Sequence, residues 1–119
     1  MPGPDTTPVY FVRCDRYFDR EGAYGEVIGG RLRDYPDNLE RFGFFCMASL
    51  WMLKGLGWRP DVIHAHDWQA ALIPVYLKTN PLLRRDPFYA ELPTLFSIHN
   101  LAFQGRGPAS LLPRIGLGQ

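Results

Sequence analysis

The chain has 119 residues, of which 46% are hydrophobic and 21% charged, and its formal net charge is +1. This composition is typical of one globular domain or part of one, and it excludes an intrinsically disordered chain. A domain that binds nucleic acid through phosphates carries a basic excess, so we expect no nucleic acid partner. The longest apolar stretch, Phe44–Leu53, is too short to span a bilayer, which predicts no membrane segment.

Residues 1–8 are rich in proline and threonine, and they are predicted to be a loose N-terminus. They have neither the basic region nor the apolar region of a secretory signal peptide. Cys14 and Cys46 form no disulfide framework and no metal-binding spacing, which is typical of a reducing compartment. We therefore expect a cytoplasmic protein, or a plastid protein if the source is a plant.

The first predicted elements are a strand at Val9–Val12, a long loop over 15–36 and a helix that follows Asp37. The strand is a short run of β-branched and aromatic residues. Asp37 and Glu40 have the spacing of a capping box. Apolar residues then recur every three or four positions on both sides of the helix, and two glycines mark its end. This pattern predicts a helix that is buried on more than one side.

Two further strands complete the predicted order. Val62–His66 is a strand candidate that leads directly into a helix over Asp67–Lys78. Pro74 should kink this helix or shift its start, because it removes one internal hydrogen bond. Residues 79–93 are predicted to be a polar connection, Thr94–His99 is the third strand, and no clear element follows. The alternation of strands and helices predicts an α/β fold with a parallel sheet and covering helices.

Polar pairs follow the two later strands, His66 with Asp67 and His99 with Asn100. Ligands bind beyond the carboxyl ends of parallel strands, so we expect a site at these four residues. His64 shares the sheet face of His66, and it is either a packed core residue or a site residue. Asp67 either caps the following helix, orients His66 or does both.

A metal site is an alternative interpretation of the same histidines. The His-x-His pattern occurs in zinc hydrolases, and alternate strand residues can converge on one ion. His99 would be the third ligand, beside His64 and His66, if its strand is adjacent to theirs. A small metal-dependent hydrolase is therefore an alternative function, although no other ligand follows at a known spacing.

Four segments resemble those of one enzyme family. Asp61–Lys78, DVIHAHDWQAALIPVYLK, resembles the signature of bacterial glycogen synthases and plant starch synthases. Pro93–Gly105, PTLFSIHNLAFQG, resembles the next signature, and residues 17–25 and 37–42 resemble the preceding segments. The resemblance spans 9–107, which we interpret as a partial N-terminal glycosyltransferase domain followed by a tail, 108–119.

The resemblance implies a GT-B glycosyltransferase, in which two Rossmann-like domains face a cleft. This chain would then be a piece of the N-terminal half, with a partial Rossmann-like sheet. The resemblance also implies transfer of glucose from ADP-glucose to the non-reducing end of an α-1,4-glucan, with retention of configuration and no cofactor or metal. It implies that His66 and Asp67 are catalytic, and that His99 and Asn100 bind substrate near the acceptor.

Two parts of the family pattern are absent from this sequence: the Lys-x-Gly-Gly-Leu-Gly-Asp loop and the second domain. We therefore expect the isolated chain to be inactive. An incomplete sheet would leave unpaired edges and exposed apolar side chains, which favour self-association. The side chains expected to be exposed are Phe44, Phe45, Trp51 and Trp58. A non-catalytic, glucan-binding module that a partner completes is a further alternative.

Overall fold

The structure is a computed structural model that describes residues 6–118. Most of the predicted loose N-terminus, residues 1–5, and Gln119 lie outside the described residues. The elements in chain order are α1 (Asp15–Phe18), β1 (Gly25–Ile28), β2 (Arg31–Asp34), α2 (Asn38–Gly55), β3 (Ile63–His66), α3 (Asp67–Ala70), α4 (Leu72–Thr79), α5 (Pro81–Arg85), β4 (Thr94–Ser97) and a 3-10 helix (Ala109–Ile115).

Strands β3 and β4 form a parallel pair, in register from Ile63 opposite Thr94 to His66 opposite Ser97. Helices α3, α4 and α5 connect them, as a crossover between parallel strands requires. Helix α2 packs against α3 and α4. The predicted α/β fold, with a parallel sheet and covering helices, is therefore confirmed.

The predicted strand at Val9–Val12 is wrong. Residues 6–14 are irregular, and the side chains of Val9 and Phe11 are 71% and 89% exposed. The sheets within residues 6–118 pair only β1 with β2 and β3 with β4, so no strand accepts the hydrogen bonds of this segment. A β-branched and aromatic composition favours a strand only where a neighbouring strand is available.

The predicted long loop over 15–36 is also wrong, because it contains α1 and an antiparallel hairpin. In this hairpin Gly25 lies opposite Asp34 and Ile28 lies opposite Arg31. Gly29 and Gly30 form the turn with φ angles of 58° and 76°, the left-handed conformations that a two-residue type I′ turn requires. Because the two strands contain several charged residues, this region shows no strand periodicity, and the sequence pattern did not indicate a hairpin.

Helix α2 is confirmed, but its capping box is wrong. The Asp37 carboxylate accepts two hydrogen bonds from the Arg20 guanidinium, at 2.8 and 2.7 Å, and makes no cap contact. The Arg20 hydrogen bond also lowers the pKa of Asp37. Glu40 accepts a hydrogen bond from Arg114 at 2.9 Å. Tertiary ion pairs therefore replace the local cap.

The core lies between α2 and the helices of the crossover. Two tyrosine hydroxyls satisfy backbone carbonyls inside it: Tyr76 donates to Ile115 at 2.6 Å and Tyr89 donates to Leu50 at 2.9 Å. Burial raises the pKa of Tyr76 to about 12 and that of the Cys46 thiol to about 11. The buried members of this cluster are Cys46, Leu50, Ala65, Ala70, Ile73, Tyr76, Leu77, Leu83 and Tyr89.

The helix predicted over Asp67–Lys78 is confirmed, with an interruption three residues before Pro74. It divides into α3 and α4 at Ala71, and Pro74 lacks the N–H that the carbonyl of Ala70 would accept in a continuous helix. The polar connection predicted over 79–93 is wrong in part, because it contains α5. The Asn80 side chain caps this helix by accepting the N–H of Leu82 at 2.9 Å.

Two other features complete the fold. The 3-10 helix, in a region where no clear element was predicted, packs against α2. Phe44, Trp51 and Trp58 are exposed as predicted, whereas Phe45 is partly buried against the core. No helix within residues 6–118 is long and apolar enough to cross a bilayer.

Candidate functional site

The carboxyl ends of β3 and β4 bring two of the predicted site residues together. His66 ends β3, and His99 lies two residues beyond the end of β4. The His66 Nδ1 atom is 2.9 Å from the His99 Nε2 atom, and the two rings stack with centroids 5.2 Å apart. The parallel pairing of the strands therefore places these imidazoles in direct contact.

His64 belongs to the same face of the sheet. Its ring centroid is 3.9 Å from that of His66, and its Nε2 atom is 2.8 Å from the Ser97 hydroxyl. The interpretation of His64 as a packed core residue is wrong, because its side chain is exposed. Within residues 6–118 the helices cover the other face of β3, where Ala65 is buried.

Asp67 forms the turn between β3 and α3 with an unusual backbone. Its φ of 58° lies in the left-handed region, which costs a non-glycine residue about 1–3 kcal/mol and is frequent at functional sites. Its carboxylate accepts the backbone N–H of His99 at 2.7 Å. The capping interpretation of Asp67 is therefore wrong: Asp67 connects the ends of the two strands, whereas α3 has no side-chain cap.

Asn100 begins a tight turn beyond β4. Its side-chain oxygen accepts the N–H of Ala102 at 2.9 Å, and its carbonyl accepts the N–H of Phe103. This arrangement is an Asx turn, in which the side chain replaces a backbone acceptor. The turn directs residues 101–108 along one side of a cleft.

A cleft of about 980 Å³ opens beside the strand ends. It contains two of the four predicted site residues, whereas His66 and His99 lie next to it, on the exposed sheet face, and do not line it. The residues that line the cleft include Tyr24, Asp67, Trp68, Asn100, Gly105 and Arg106. The structure thus divides the predicted site into a paired-histidine face and a cleft.

Aromatic rings form one wall of this cleft. Tyr24 and Trp68 line the cleft, and Phe42 supports them from outside the lining, with its ring 6.0 Å from Tyr24 and edge-on against Trp68 at 4.9 Å. Gly105 has a φ of 59°, and a Cβ atom there would lie 2.1 Å from Cε3 of Trp68. Only glycine therefore fits this position without displacing the indole.

Trp68 is not among the predicted site residues, and no sequence motif indicates the wall. Trp68 does pack, against Phe42, but it also lines the cleft. The wall is assembled from three separate segments, so no local spacing could have revealed it.

The metal-site alternative lacks its ligand set. No group of three or more His, Cys, Asp or Glu side chains in the described part of the chain could hold a metal ion. The facing nitrogens of His66 and His99 are in hydrogen-bond contact, so these two atoms cannot both point to an ion. The arrangement instead suits hydrogen bonding to an uncharged polar ligand.

Comparison with known proteins gives a consistent family. The starch synthase catalytic domain family matches residues 3–119. The chain is 46% identical over 114 residues to the glycogen synthase of Desulforudis audaxviator, covering 96% of this chain and 21% of that protein. It is 49% identical over 110 residues to glycogen synthase 2 of Geobacter sulfurreducens, covering 92% and 22%. The chain therefore spans about a fifth of the length of these relatives. With the family model matching nearly all of its length, the chain belongs to the starch synthase catalytic domain family.

Proposed function

We propose that this chain is part of the N-terminal half of a retaining GT-B glucosyltransferase. The complete enzyme would transfer glucose from ADP-glucose to the non-reducing end of an α-1,4-glucan. The observation that carries the proposal is the contact of 2.9 Å between His66 and His99 at two parallel strand ends, beside a cleft. Two relatives that share nearly half of their aligned residues with this chain are named glycogen synthases, which supports glucan synthesis.

In this proposal His66 and Asp67 are the catalytic residues. The Nδ1 atom of His66 is engaged by His99, which leaves its Nε2 atom for a hydroxyl of the transferred sugar. Strand-end carbonyl dipoles stabilise positive charge that develops at the anomeric carbon. Asp67 holds the backbone of His99, so it maintains the separation of the two strand ends during the reaction.

The proposal assigns substrate binding to His99 and Asn100. His99 fixes the ring of His66, and Asn100 lines the cleft with the turn that it initiates. A binding cleft is expected to be mostly apolar, with a few placed polar groups. The aromatic wall and these polar side chains supply that combination.

We also propose that the 119-residue chain alone does not transfer glucose, because it spans only a fifth of the relatives and its histidine face is uncovered. Its exposed apolar side chains, such as Trp51 and Leu95, favour self-association. Its two free cysteines favour a cytoplasmic location. A sizing column tests the self-association, and maltoheptaose titration of the chain tests the alternative of a glucan-binding module.

The main test uses a segment-swapped synthase. In this protein, the 110 residues of the Geobacter sulfurreducens relative that align with this chain are replaced by the residues of this chain. We expect it to transfer labelled glucose from ADP-glucose to glycogen. We expect His66→Ala to lower kcat about a hundredfold or more. The control Leu82→Ala, at a side chain that is 78% exposed on α5, should retain the parent activity.

Folding is measured separately, by thermal unfolding of the swapped and parent synthases. A swapped synthase that unfolds like the parent but transfers no glucose would overturn the proposal. If the long swap does not fold, a shorter swap of residues 61–105 keeps both strand ends and repeats the test.

A further inference from the structure

The segment from Tyr17 to Tyr24 runs from the last two residues of α1 to the residue before β1, and its last residue lines the cleft. It is irregular beyond residue 18, so its carbonyls need partners outside regular structure. Arg41, in the first turns of α2, provides two of them. Its Nε atom donates to the carbonyl of Tyr17 at 2.7 Å, and its Nη2 atom donates to that of Ala23 at 3.1 Å.

Asn38 completes this arrangement one helical turn before Arg41. Its side-chain oxygen accepts a hydrogen bond from Arg41 Nη1 at 2.5 Å. Its Nδ2 atom donates to the carbonyl of Tyr24 at 2.8 Å. The carbonyl of Tyr24 also accepts the N–H of Tyr35 at 2.9 Å, which ties the segment to the end of the hairpin. Two neighbouring helix residues thus hold three carbonyls of one segment.

Arg41 and Asn38 are both buried, which is unusual for a charged and a polar side chain. Arg41 is 2% exposed and Asn38 is 8% exposed, although arginine is almost never fully buried unless it is paired. Within residues 6–118 Arg41 makes no ion pair with a carboxylate, and the adjacent Asp37 is bound by Arg20. Burial, the largest effect on this group, lowers the pKa of Arg41. Carbonyl oxygens and the faces of Phe42 and Tyr35, at 5.3 and 5.0 Å, surround its charge.

The segment is coupled to the cleft through aromatic contacts. The ring of Tyr24 packs on Phe42, and Phe42 packs on Trp68, the residue that follows Asp67. A shift of the Tyr24 backbone would therefore move the aromatic wall. Two acidic side chains, Asp34 and Asp67, and one basic side chain, Arg106, line the same cleft, so its charged residues carry a net negative charge and it suits an uncharged sugar chain better than a nucleotide diphosphate.

We propose that Arg41, acting with Asn38, is a positioning residue that fixes the Tyr17–Tyr24 segment and thereby shapes the cleft for the glucan acceptor. This inference rests on the proposed function, because it assigns the cleft to the acceptor of that reaction. A merely structural arginine would affect stability alone, whereas a positioning arginine affects acceptor binding beyond its effect on stability.

The experiment compares Arg41→Met and Leu50→Ala in the segment-swapped synthase. Leu50 is 1% exposed and lies in the core rather than in the cleft lining, so its truncation is a control for lost stability. We expect Arg41→Met to raise the KM for glucan roughly tenfold, with kcat and the KM for ADP-glucose within about twofold of the parent. Leu50→Ala should lower the Tm at least as much and leave the KM for glucan unchanged.

Hydrogen exchange provides a readout that is independent of activity. In Arg41→Met, peptides that contain the Tyr35 amide should exchange faster than in Leu50→Ala, because the Ala23 carbonyl loses its donor and Asn38, which holds the Tyr24 carbonyl, loses its bond to Arg41. Arg41→Lys keeps the charge but not the forked geometry, so we expect it to rescue acceptor binding only in part. Asn38→Ala removes the contact with the Tyr24 carbonyl and the acceptor of Arg41 Nη1, and it replaces Arg41→Met if that variant does not fold.

The outcomes separate the two proposals. An unchanged KM for glucan in a folded Arg41→Met or Asn38→Ala variant would overturn the positioning role, even if the Tm falls. A swapped synthase that folds without any transfer would overturn the proposed function instead. In that case the exchange rates still decide whether Arg41 fixes the segment.

Discussion

The two faces of the β3–β4 pair differ sharply in burial and in the side chains that they present. On one face Ala65 is 2% exposed and packs in the cluster of Cys46 and Leu50. On the other face His64 and His66 are exposed, and so is Leu95 at 53%. Successive residues of one short strand therefore belong to different environments, as the two-residue period of a strand requires. The comparison separates residues that stabilise the fold from residues that present polar groups.

The largest effect is expected on the covered face. Leu50→Ala removes a buried side chain from the centre of the core, and it should lower the free energy of unfolding by about 2–5 kcal/mol. Urea denaturation of the 119-residue chain measures this loss. A loss below about 1 kcal/mol would show that the core of α2 does not carry the stability of the chain.

The next largest effect on stability is expected at Gly105, which lies against Trp68 in the cleft wall. Gly105→Ala places a Cβ atom 2.1 Å from Trp68 Cε3, in a residue with a φ of 59°. Gly29→Ala is a matched control, because Gly29 has a φ of 58° and no atom within 4 Å of the added Cβ. Gly105→Ala should be more destabilising than Gly29→Ala by about 1–3 kcal/mol.

The comparison of these two glycine variants isolates the contact with Trp68. Both substitutions introduce the same backbone strain. Equal losses of unfolding free energy in urea denaturation would therefore mean that the indole moves aside without destabilising the fold. Tryptophan fluorescence should also change in Gly105→Ala and not in Gly29→Ala.

A smaller effect is expected at Tyr76, whose hydroxyl donates to the carbonyl of Ile115 at 2.6 Å. Tyr76→Phe should lower the free energy of unfolding by about 1 kcal/mol at neutral pH. Burial raises the pKa of Tyr76 from 10.0 to about 12, so the folded chain holds this proton more tightly than the unfolded chain. The contribution is complete below about pH 10 and is lost as the pH rises towards 12.

Alkaline denaturation checks this linkage. The parent chain should lose stability more steeply than Tyr76→Phe between about pH 10 and pH 12. Parallel curves for the two chains over that range would contradict the burial of the phenol. Cys46, whose pKa is raised to about 11, titrates in the same range, and its negative charge adds to the burial that raises the pKa of Tyr76, so it contributes to the steeper loss in the parent chain.

The smallest effect on stability is expected on the open face. Leu95→Ser changes a side chain that is 53% exposed, and it should alter the free energy of unfolding by less than about 0.5 kcal/mol. The same substitution should reduce self-association on a sizing column, because it removes apolar surface. A loss of stability comparable to that of Leu50→Ala would remove the distinction between the two faces.

The parts of this fold that the sequence predicted correctly have strong local signals. Helix α2 has sustained apolar periodicity, β3 leads directly into a helix, and Pro74 breaks that helix where the missing N–H requires it. The strand ends that carry His66 and His99 were also predicted, since parallel strands end on the same edge. The resulting contact shows that these two residues lie together, while the catalytic role of His66 and the substrate-binding role of His99 stay predictions.

The errors occurred where tertiary partners decide the outcome. Val9–Val12 has the composition of a strand but no neighbouring strand among the described residues. The Asp37 carboxylate binds Arg20 instead of capping α2. Asp67 adopts a left-handed backbone conformation that no sequence pattern indicates. The burial of Arg41 was not predicted, because two of its three acceptors are carbonyls of a segment that is distant in sequence.

The contrast between the two cysteines has a practical consequence. The Sγ atom of Cys46 donates to the carbonyl of Gln69 inside the core, and its raised pKa, about 11, leaves almost no thiolate at neutral pH. Cys14 is only partly buried and directly precedes α1. A maleimide fluorophore should therefore attach to Cys14 alone, three residues before the carbonyl of Tyr17 that Arg41 holds. The native sequence thus provides a single reporter position for movements of that segment, with no cysteine needing to be added or removed.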